Sequence, residues 1–194
     1  MAKGSRDIIL RDRLQFETTA VTGNVALVYG RVDLSDYVSI VKNEGLAIKE
    51  VRFQFRVPDS DLGWPTWMNG ENLAGVPANQ TIQSNICAFA TTTAYENADD
   101  VGIASPNVLC IYERLSSITG AGWVDYEEHS FGTPDLHPEG YDVVTDLLIG
   151  VYGNNLQNDR LVGATLELDV MIIAEPKKIT QKDLTQMLTQ AQDL

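Results

Sequence analysis

The sequence has little cysteine and no long apolar run, and each shortage excludes a class of protein. Only two cysteines, Cys87 and Cys110, occur among 194 residues, too few for a disulfide framework, and we expect both to be buried free thiols. No apolar run approaches the roughly 20 residues of a membrane span. The run from Ile8 to Leu10 is too short for the core of a signal peptide. We therefore expect a chain that is made in the cytoplasm and not exported.

Basic residues are also scarce, since 14 of them stand against 27 acidic residues and give a formal net charge of -13. Such a field repels phosphate backbones and anionic membrane surfaces, which argues against direct nucleic-acid binding by most of the surface. The one locally basic region is the start of the chain, which contains four basic residues, Arg6 and Arg11 among them, and two acidic residues. This small excess does not indicate a nucleic-acid-binding arm.

Signatures of catalysis and cofactor binding are missing. There is no Gly-x-Ser-x-Gly nucleophile elbow and no Gly-x-x-x-x-Gly-Lys phosphate loop. The histidines, His129 and His137, lie eight residues apart, whereas zinc-protease and cupin sites need closer spacings. Asp99 and Asp100 offer oxygen ligands without EF-hand spacing, which leaves calcium binding open. We predict a protein that is not an enzyme, with no cofactor, no catalytic or metal site and no small-molecule substrate.

The sequence does contain regular alternation of apolar and polar residues. It is clearest from Val51 to Val57, where four apolar residues are separated by Arg52, Gln54 and Arg56. A strand with one buried face and one wet face has this period of two. Similar segments predict eight strands, at about residues 13–20, 25–34, 46–57, 81–93, 108–115, 123–128, 143–152 and 166–174.

The tail of the chain has a helical period instead. Thr180 can cap a helix, with Asp183 three residues later, and Leu184, Met187 and Leu188 then share one face. A helix of about 15 residues is marginal alone in water, so this apolar face must pack on something. Its own sheet and a neighbouring subunit both remain open as that surface.

Eight strands without crossover helices predict one all-β domain, an antiparallel sandwich of two sheets. An immunoglobulin-like fold is disfavoured because Cys87 and Cys110 are too close in sequence and have no Trp between them. We divide the chain into an N-terminal arm (1–12), a β-sandwich (13–176) and a C-terminal helix or tail (177–194).

This layout, with an arm, eight strands, long loops and a C-terminal extension, resembles the single jelly-roll coat proteins of icosahedral viruses over roughly residues 13 to 175. The resemblance implies an eight-stranded jelly-roll sandwich with a short C-terminal helix. In the usual order one sheet holds the strands of Leu14, Arg52, Trp123 and Leu168, and the other holds those of Val25, Ile86, Ile111 and Leu148.

The resemblance also implies a function, that of a structural subunit of a viral capsid, made in the host cytoplasm and located in the virion. Its partners would be copies of itself and other capsid proteins. Coat proteins that hold the genome with a basic arm differ from this acidic chain, and that difference leaves room for an inner membrane. Assembly would use the loops and the terminal extensions. The expected subunit contacts are Arg6, Arg11, Trp64, Trp67, Leu184, Met187 and Leu188.

Trp64 and Trp67 also support an alternative from another class. They lie in a loop of about 22 residues between Pro58 and Gln80, and exposed aromatic side chains are useful when a sugar ring or a protein covers them. The alternative is a carbohydrate-binding β-sandwich module that uses these tryptophans, and a purely structural role as a plug for the sandwich is also open. A sugar-binding module should remain monomeric, whereas a shell protein should assemble.

Overall fold

Two antiparallel sheets and one helix make up the computed structural model, which describes residues 7–57, 81–119, 124–132, 140–156 and 161–190. The strands are β1 (Ile8–Glu17), β2 (Val25–Val32), β3 (Glu44–Arg56), β4 (Thr81–Thr91), β5 (Val108–Thr119), β6 (Val124–Phe131), β7 (Tyr141–Val143), β8 (Leu147–Asn154) and β9 (Thr165–Lys178). The helix α1 (Gln181–Gln190) follows the last strand. This confirms the predicted all-β fold with its C-terminal helix. In the described part of the chain, no helix is long and apolar enough to cross a membrane.

The sheet orders are β1-β9-β3-β7 in the four-stranded sheet and β2-β8-β4-β5-β6 in the five-stranded sheet. Seven of the eight predicted strands lie in the sheets that the jelly-roll order assigned to them. As that order implies, the strands of Leu14, Arg52 and Leu168 lie together in the four-stranded sheet. The strands of Val25, Ile86, Ile111 and Leu148 lie together in the other.

The sixth strand exists where it was predicted, but the sheet assigned to it was wrong. The jelly-roll order placed it with the strands of Leu14, Arg52 and Leu168, whereas β6 forms a hairpin with β5 and is an edge strand of the five-stranded sheet. Only residues 120–123 separate the two strands, and such a short connection joins antiparallel neighbours more readily than it crosses to a sheet about 10 Å away. Trp123 itself lies outside the described residues. Its expected place is taken by β7, whose three residues are too few to show a period.

Two strand bounds also differ from the prediction. The first strand begins at Ile8, which pairs with Ala174, so residues 8–12 belong to the sheet. The last strand continues through Pro176, which pairs with Leu46 of β3. Pro176 lies near the end of the strand, where the described part of β1 pairs with β9 only as far as Ala174, and proline is tolerated at such positions.

The main core lies between the two sheets and consists of the inward residues of the alternating segments. Val51 and Phe55 are buried there, and the Phe55 ring meets Phe16 edge to face with centroids 6.2 Å apart. Cys110 is part of the same core. Both Cys87 and Cys110 are buried and free, as predicted.

A second, smaller cluster lies on the outer side of the five-stranded sheet. Cys87, Phe89 and Ile111 are buried in it, because the loop 92–107 between β4 and β5 packs over them through Val101. The Phe89 ring lies directly over Gly150. Strand β4 is therefore apolar on both faces.

The helix begins as the sequence predicts. The Asp183 backbone N–H donates to the Thr180 hydroxyl at 3.2 Å, and the Thr180 carbonyl accepts from the Leu184 N–H at 2.9 Å. Leu184 is buried against Val144 and Ile179 of the same chain. Of the two surfaces that the sequence left open, the helix packs on its own sandwich.

Candidate functional site

The predicted contact residues fall into two groups. Arg6, Trp64 and Trp67 lie outside the described residues, so contacts through them stay predictions. The tail and Arg11 are described. Arg11 is exposed on β1, where it pairs in register with Met171 of β9.

The tail residues pack against their own chain. Leu184 is only 2% exposed, so another subunit could reach it only after the helix had left Val144 and Ile179. Leu184 therefore anchors the helix to its own sandwich, and its direct contact with another subunit stays a prediction. Met187 and Leu188 pack beside it and are half-buried, and their contact with another subunit stays a prediction.

The outer face of the four-stranded sheet carries a network of paired charges. Asp169 on β9 lies between Arg13 of β1, whose Nε is 2.6 Å from Oδ1, and Arg56 of β3, whose Nη1 is 3.3 Å from Oδ2. On the next row Gln15 Nε2 donates to Glu167 Oε1 at 3.0 Å. The hydrogen bond from Arg13, helped by its charge, lowers the pKa of Asp169. These pairs link three strands, and cross-strand pairs of opposite charge stabilise a sheet.

One row closer to the start of β1, the charges are not balanced. Arg11, Met171 and Arg52 occupy one register row across β1, β9 and β3. Arg52 Nε donates to Glu50, whereas Arg11 has no acidic partner among the described residues. The next row brings Ile9, which is 51% exposed, beside Ile173.

A shallow groove of about 750 Å³ follows this face. We call it the arginine groove, and its lining includes Arg11, Arg13, Arg52, Gln54, Asp169 and Met171. Guanidinium groups at exposed positions bind carboxylates through paired hydrogen bonds. The groove therefore suits an anionic partner that also brings an apolar group to Met171.

A second surface feature is the turn between β2 and β3, which holds two apolar side chains in water. Ile40 is 47% and Val41 is 95% exposed. The turn is closed by two hydrogen bonds of 2.9 Å between Ser39 and Glu44, and the Asn43 carbonyl accepts from the Ile179 N–H at 2.9 Å. We call Ile40 and Val41 the apolar tip. The sequence analysis missed it, although an apolar pair outside every predicted strand was a usable signal.

A third feature is a recess of about 480 Å³ on the five-stranded sheet, which we call the polar recess. Its lining includes Gln83, Asn85, Leu115, Ser117, Asp125 and Asn154. Asn85 Oδ1 accepts from the Asn154 backbone N–H at 3.1 Å. The side chains of Gln83, Ser117 and Asp125 have no hydrogen-bond partner within the described ranges. Amides, a hydroxyl and a carboxylate around an apolar floor match the hydrogen-bonding needs of a sugar.

The residues considered for metal or thiol chemistry are not assembled into a site. His129 Nε2 lies 3.2 Å from Glu127 Oε2 on the exposed face of β6, while His137 is outside the described residues. In the described ranges, no three His, Cys, Asp or Glu side chains are grouped for a metal ion. Burial raises the pKa of both Cys87 and Cys110 to about 12. Both thiols are therefore protonated at neutral pH and are poor nucleophiles.

Comparisons with known proteins add little to this geometry. No protein-family model matches the chain, and no curated protein matches it. A solved structure described as Desmodium yellow mottle tymovirus is similar at a TM-score of 0.32 and 10% identity, over 92% of this chain and 87% of that one. A Bacteroides thetaiotaomicron protein described as a glycoside hydrolase is similar at a TM-score of 0.28 and 12% identity, over 88% of this chain and 47% of that one. Similarity at this level does not bear on function.

Proposed function

We propose that this chain is a structural, non-enzymatic subunit of a self-assembling viral capsid. The observation that carries the proposal is the apolar tip, because it is both exposed and rigidly held. A monomer gains nothing from keeping Val41 95% exposed, whereas burying a valine side chain in a contact contributes about 1.5–3 kcal/mol. The hydrogen bonds that close the turn reduce the entropy lost on association.

The jelly-roll sandwich suits this role mechanically. Its two sheets are joined by a continuous core, so the loops and the sheet faces are presented in fixed relative positions. A shell reuses one chain in many equivalent positions, and contacts between different surfaces of neighbouring copies generate closed assemblies. Ile40 and Val41 lie in the turn beyond the end of β2, at the rim of the sandwich.

The partners in this proposal are copies of the same chain and other capsid proteins, and the location is the virion. The net charge of -13 supports an arrangement in which most of the surface does not touch the genome.

The test is assembly of the purified full-length chain, followed by negative-stain microscopy and by sedimentation over a range of concentrations. Val41→Asp should raise the concentration at half-assembly by at least about tenfold, the equivalent of about 1.4 kcal/mol. Its melting temperature should not change because the side chain touches water. The matched control is Val21→Asp, the same substitution at a valine that is 85% exposed. A wild-type chain that stays monomeric at every concentration, or a Val41→Asp variant that assembles normally, would contradict the proposal.

A second candidate function is a carbohydrate-binding module, and the polar recess is the observation that favours it. The recess was not singled out in the sequence, and Trp64 and Trp67, on which the sequence based this alternative, are outside the described residues. Gln83→Ala should weaken binding of a neutral oligosaccharide without changing the fold, while Gln54→Ala on the opposite sheet should not. Calorimetric titration with cello-, malto- and chito-oligosaccharides would measure this, and a monomer that binds one of them would favour this function over assembly.

A further inference from the structure

We propose that the arginine groove of one copy binds the acidic loop of a second copy. The acidic loop is residues 92–107 between β4 and β5, which carries Glu96, Asp99 and Asp100 and contains no Lys or Arg. This inference rests on the proposed function, because it names the surfaces through which the shell subunits would meet.

The groove offers positive charge that the chain does not use itself. Arg13, Arg56 and Lys49 on the same face are all held in ion pairs with acidic side chains. Arg11 has no such partner among the described residues, and Arg52 remains 62% exposed beside Glu50. In a protein with 27 acidic and 14 basic residues, a row with two exposed arginines and one paired glutamate is a local excess of positive charge that attracts the acidic surface of another copy.

The groove also offers an apolar strip between the two guanidinium groups. Strands in a sheet are about 4.8 Å apart, so Arg11 and Arg52 stand roughly 10 Å apart with Met171 between them. Ile9 and Ile173 continue the strip into the next row. A complementary partner would bring carboxylates to the sides and one apolar side chain to the centre.

The acidic loop has that composition, and it is held in shape. Glu96, Asp99 and Asp100 are exposed, and Ile103, which follows them, is 69% exposed. The Ser105 hydroxyl donates to the Asp100 carbonyl at 2.7 Å and accepts from the Gly102 N–H at 2.9 Å. A loop that is already ordered loses little entropy when it binds.

The two surfaces cannot meet within one chain. The arginine groove is on the outer side of the four-stranded sheet, while the loop packs through Val101 on the outer side of the five-stranded sheet. The contact must therefore join different copies. When two copies meet, the loop of one and the groove of the other remain available for further copies. Such a heterologous contact propagates from copy to copy and closes into a ring or shell when the rotation allows.

Charge reversal tests the pairing. Arg11→Glu should raise the concentration at half-assembly by at least about tenfold, because it places like charges across the contact. The matched control is Arg31→Glu, which changes the net charge equally but removes only the exposed ion pair of Arg31 with Asp146 on the five-stranded sheet. Its assembly should stay within about twofold of wild type, since exposed pairs contribute little.

The decisive variant combines both sides. Reversing the groove with Arg11→Glu and Arg52→Glu, and the loop with Glu96→Lys and Asp99→Lys, should return assembly to within about threefold of wild type, because opposite charges face each other again. The two loop changes without any change in the groove should impair assembly by themselves. Circular dichroism and melting curves confirm that every variant folds.

The outcomes separate the two ideas. A wild-type chain that never assembles overturns both this pairing and the proposed function. Assembly that responds equally to Arg11→Glu and Arg31→Glu, or that the loop changes fail to rescue, overturns the pairing and leaves the capsid proposal standing.

Discussion

Replacing Gly150 with alanine should destabilise the fold strongly, although the change adds a single methyl group. A Cβ at this position would lie 2.1 Å from Cζ and 2.4 Å from Cε1 of Phe89. The ring cannot easily move aside, because Phe89 is fully buried and packs against Tyr29 and Tyr152 with centroids 5.8 and 6.3 Å away. Glycine at 150 is therefore what leaves room for the Cζ end of the Phe89 ring on β8.

The size of the effect follows from two limits. Overpacking a core typically costs about 1–3 kcal/mol, and complete loss of the ring's packing would cost about 3–5 kcal/mol, as in Phe→Ala substitutions. We expect about 3 kcal/mol. For a chain of 194 residues each kcal/mol lowers the melting temperature by about 2–4 °C, which gives a decrease of roughly 6–12 °C.

Urea unfolding followed by circular dichroism measures this loss of free energy. Gly102→Ala is the matched control, because a Cβ there would meet only Ser105 Oγ at 4.0 Å. The double variant Gly150→Ala with Phe89→Leu should be more stable than the sum of the two single losses predicts, since the smaller side chain removes the clash. A loss below about 0.5 kcal/mol for Gly150→Ala, the size of an ordinary surface substitution, or strict additivity in the double variant, would refute the reasoning.

Three further predictions concern charge, capping and thiols. Asp169→Asn should reduce stability at neutral pH by up to about 1 kcal/mol, the range of exposed ion pairs. The pKa of Asp169 is lowered in the folded protein, so its carboxylate stabilises the fold only while it is ionised. In acid-unfolding curves the difference in free energy of unfolding between Asp169→Asn and wild type should therefore disappear as pH falls below about 4. A difference that stays constant with pH would contradict this prediction. Thr180→Ala should cost about 1 kcal/mol and speed amide exchange in α1, whereas Thr185→Ala should not. Iodoacetamide at pH 8 should label Cys87 and Cys110 only after unfolding, because burial raises the pKa of each thiol to about 12; rapid native labelling would show that the clusters open.

Local patterns were enough to find most of the elements. The alternation from Val51 to Val57 marks the buried face of β3, and Thr180 with Asp183 marks the start of α1. The same patterns gave an early stop at Pro176 and a late start for the first strand. Both errors concern residues that become strand through pairing with a neighbour, β3 for Pro176 and β9 for residues 8–12.

The candidate surfaces were much less predictable. Arg11 was singled out in the sequence, but Arg52 was considered only as the wet side of a strand. The apolar tip was missed although Ile40 and Val41 are adjacent in the sequence. The polar recess could not be found, because its residues come from strands that are distant in the sequence.

The sequence alone determined the all-β fold class. The direction of each side chain follows from the two-residue repeat of an extended backbone, and that repeat is a local property. Tertiary structure decided which strands became neighbours and in which register they paired. That pairing brings Arg11, Met171 and Arg52 into one row, and it places β6 in the five-stranded sheet. Such arrangements depend on contacts between residues far apart in the chain, so no local repeat records them.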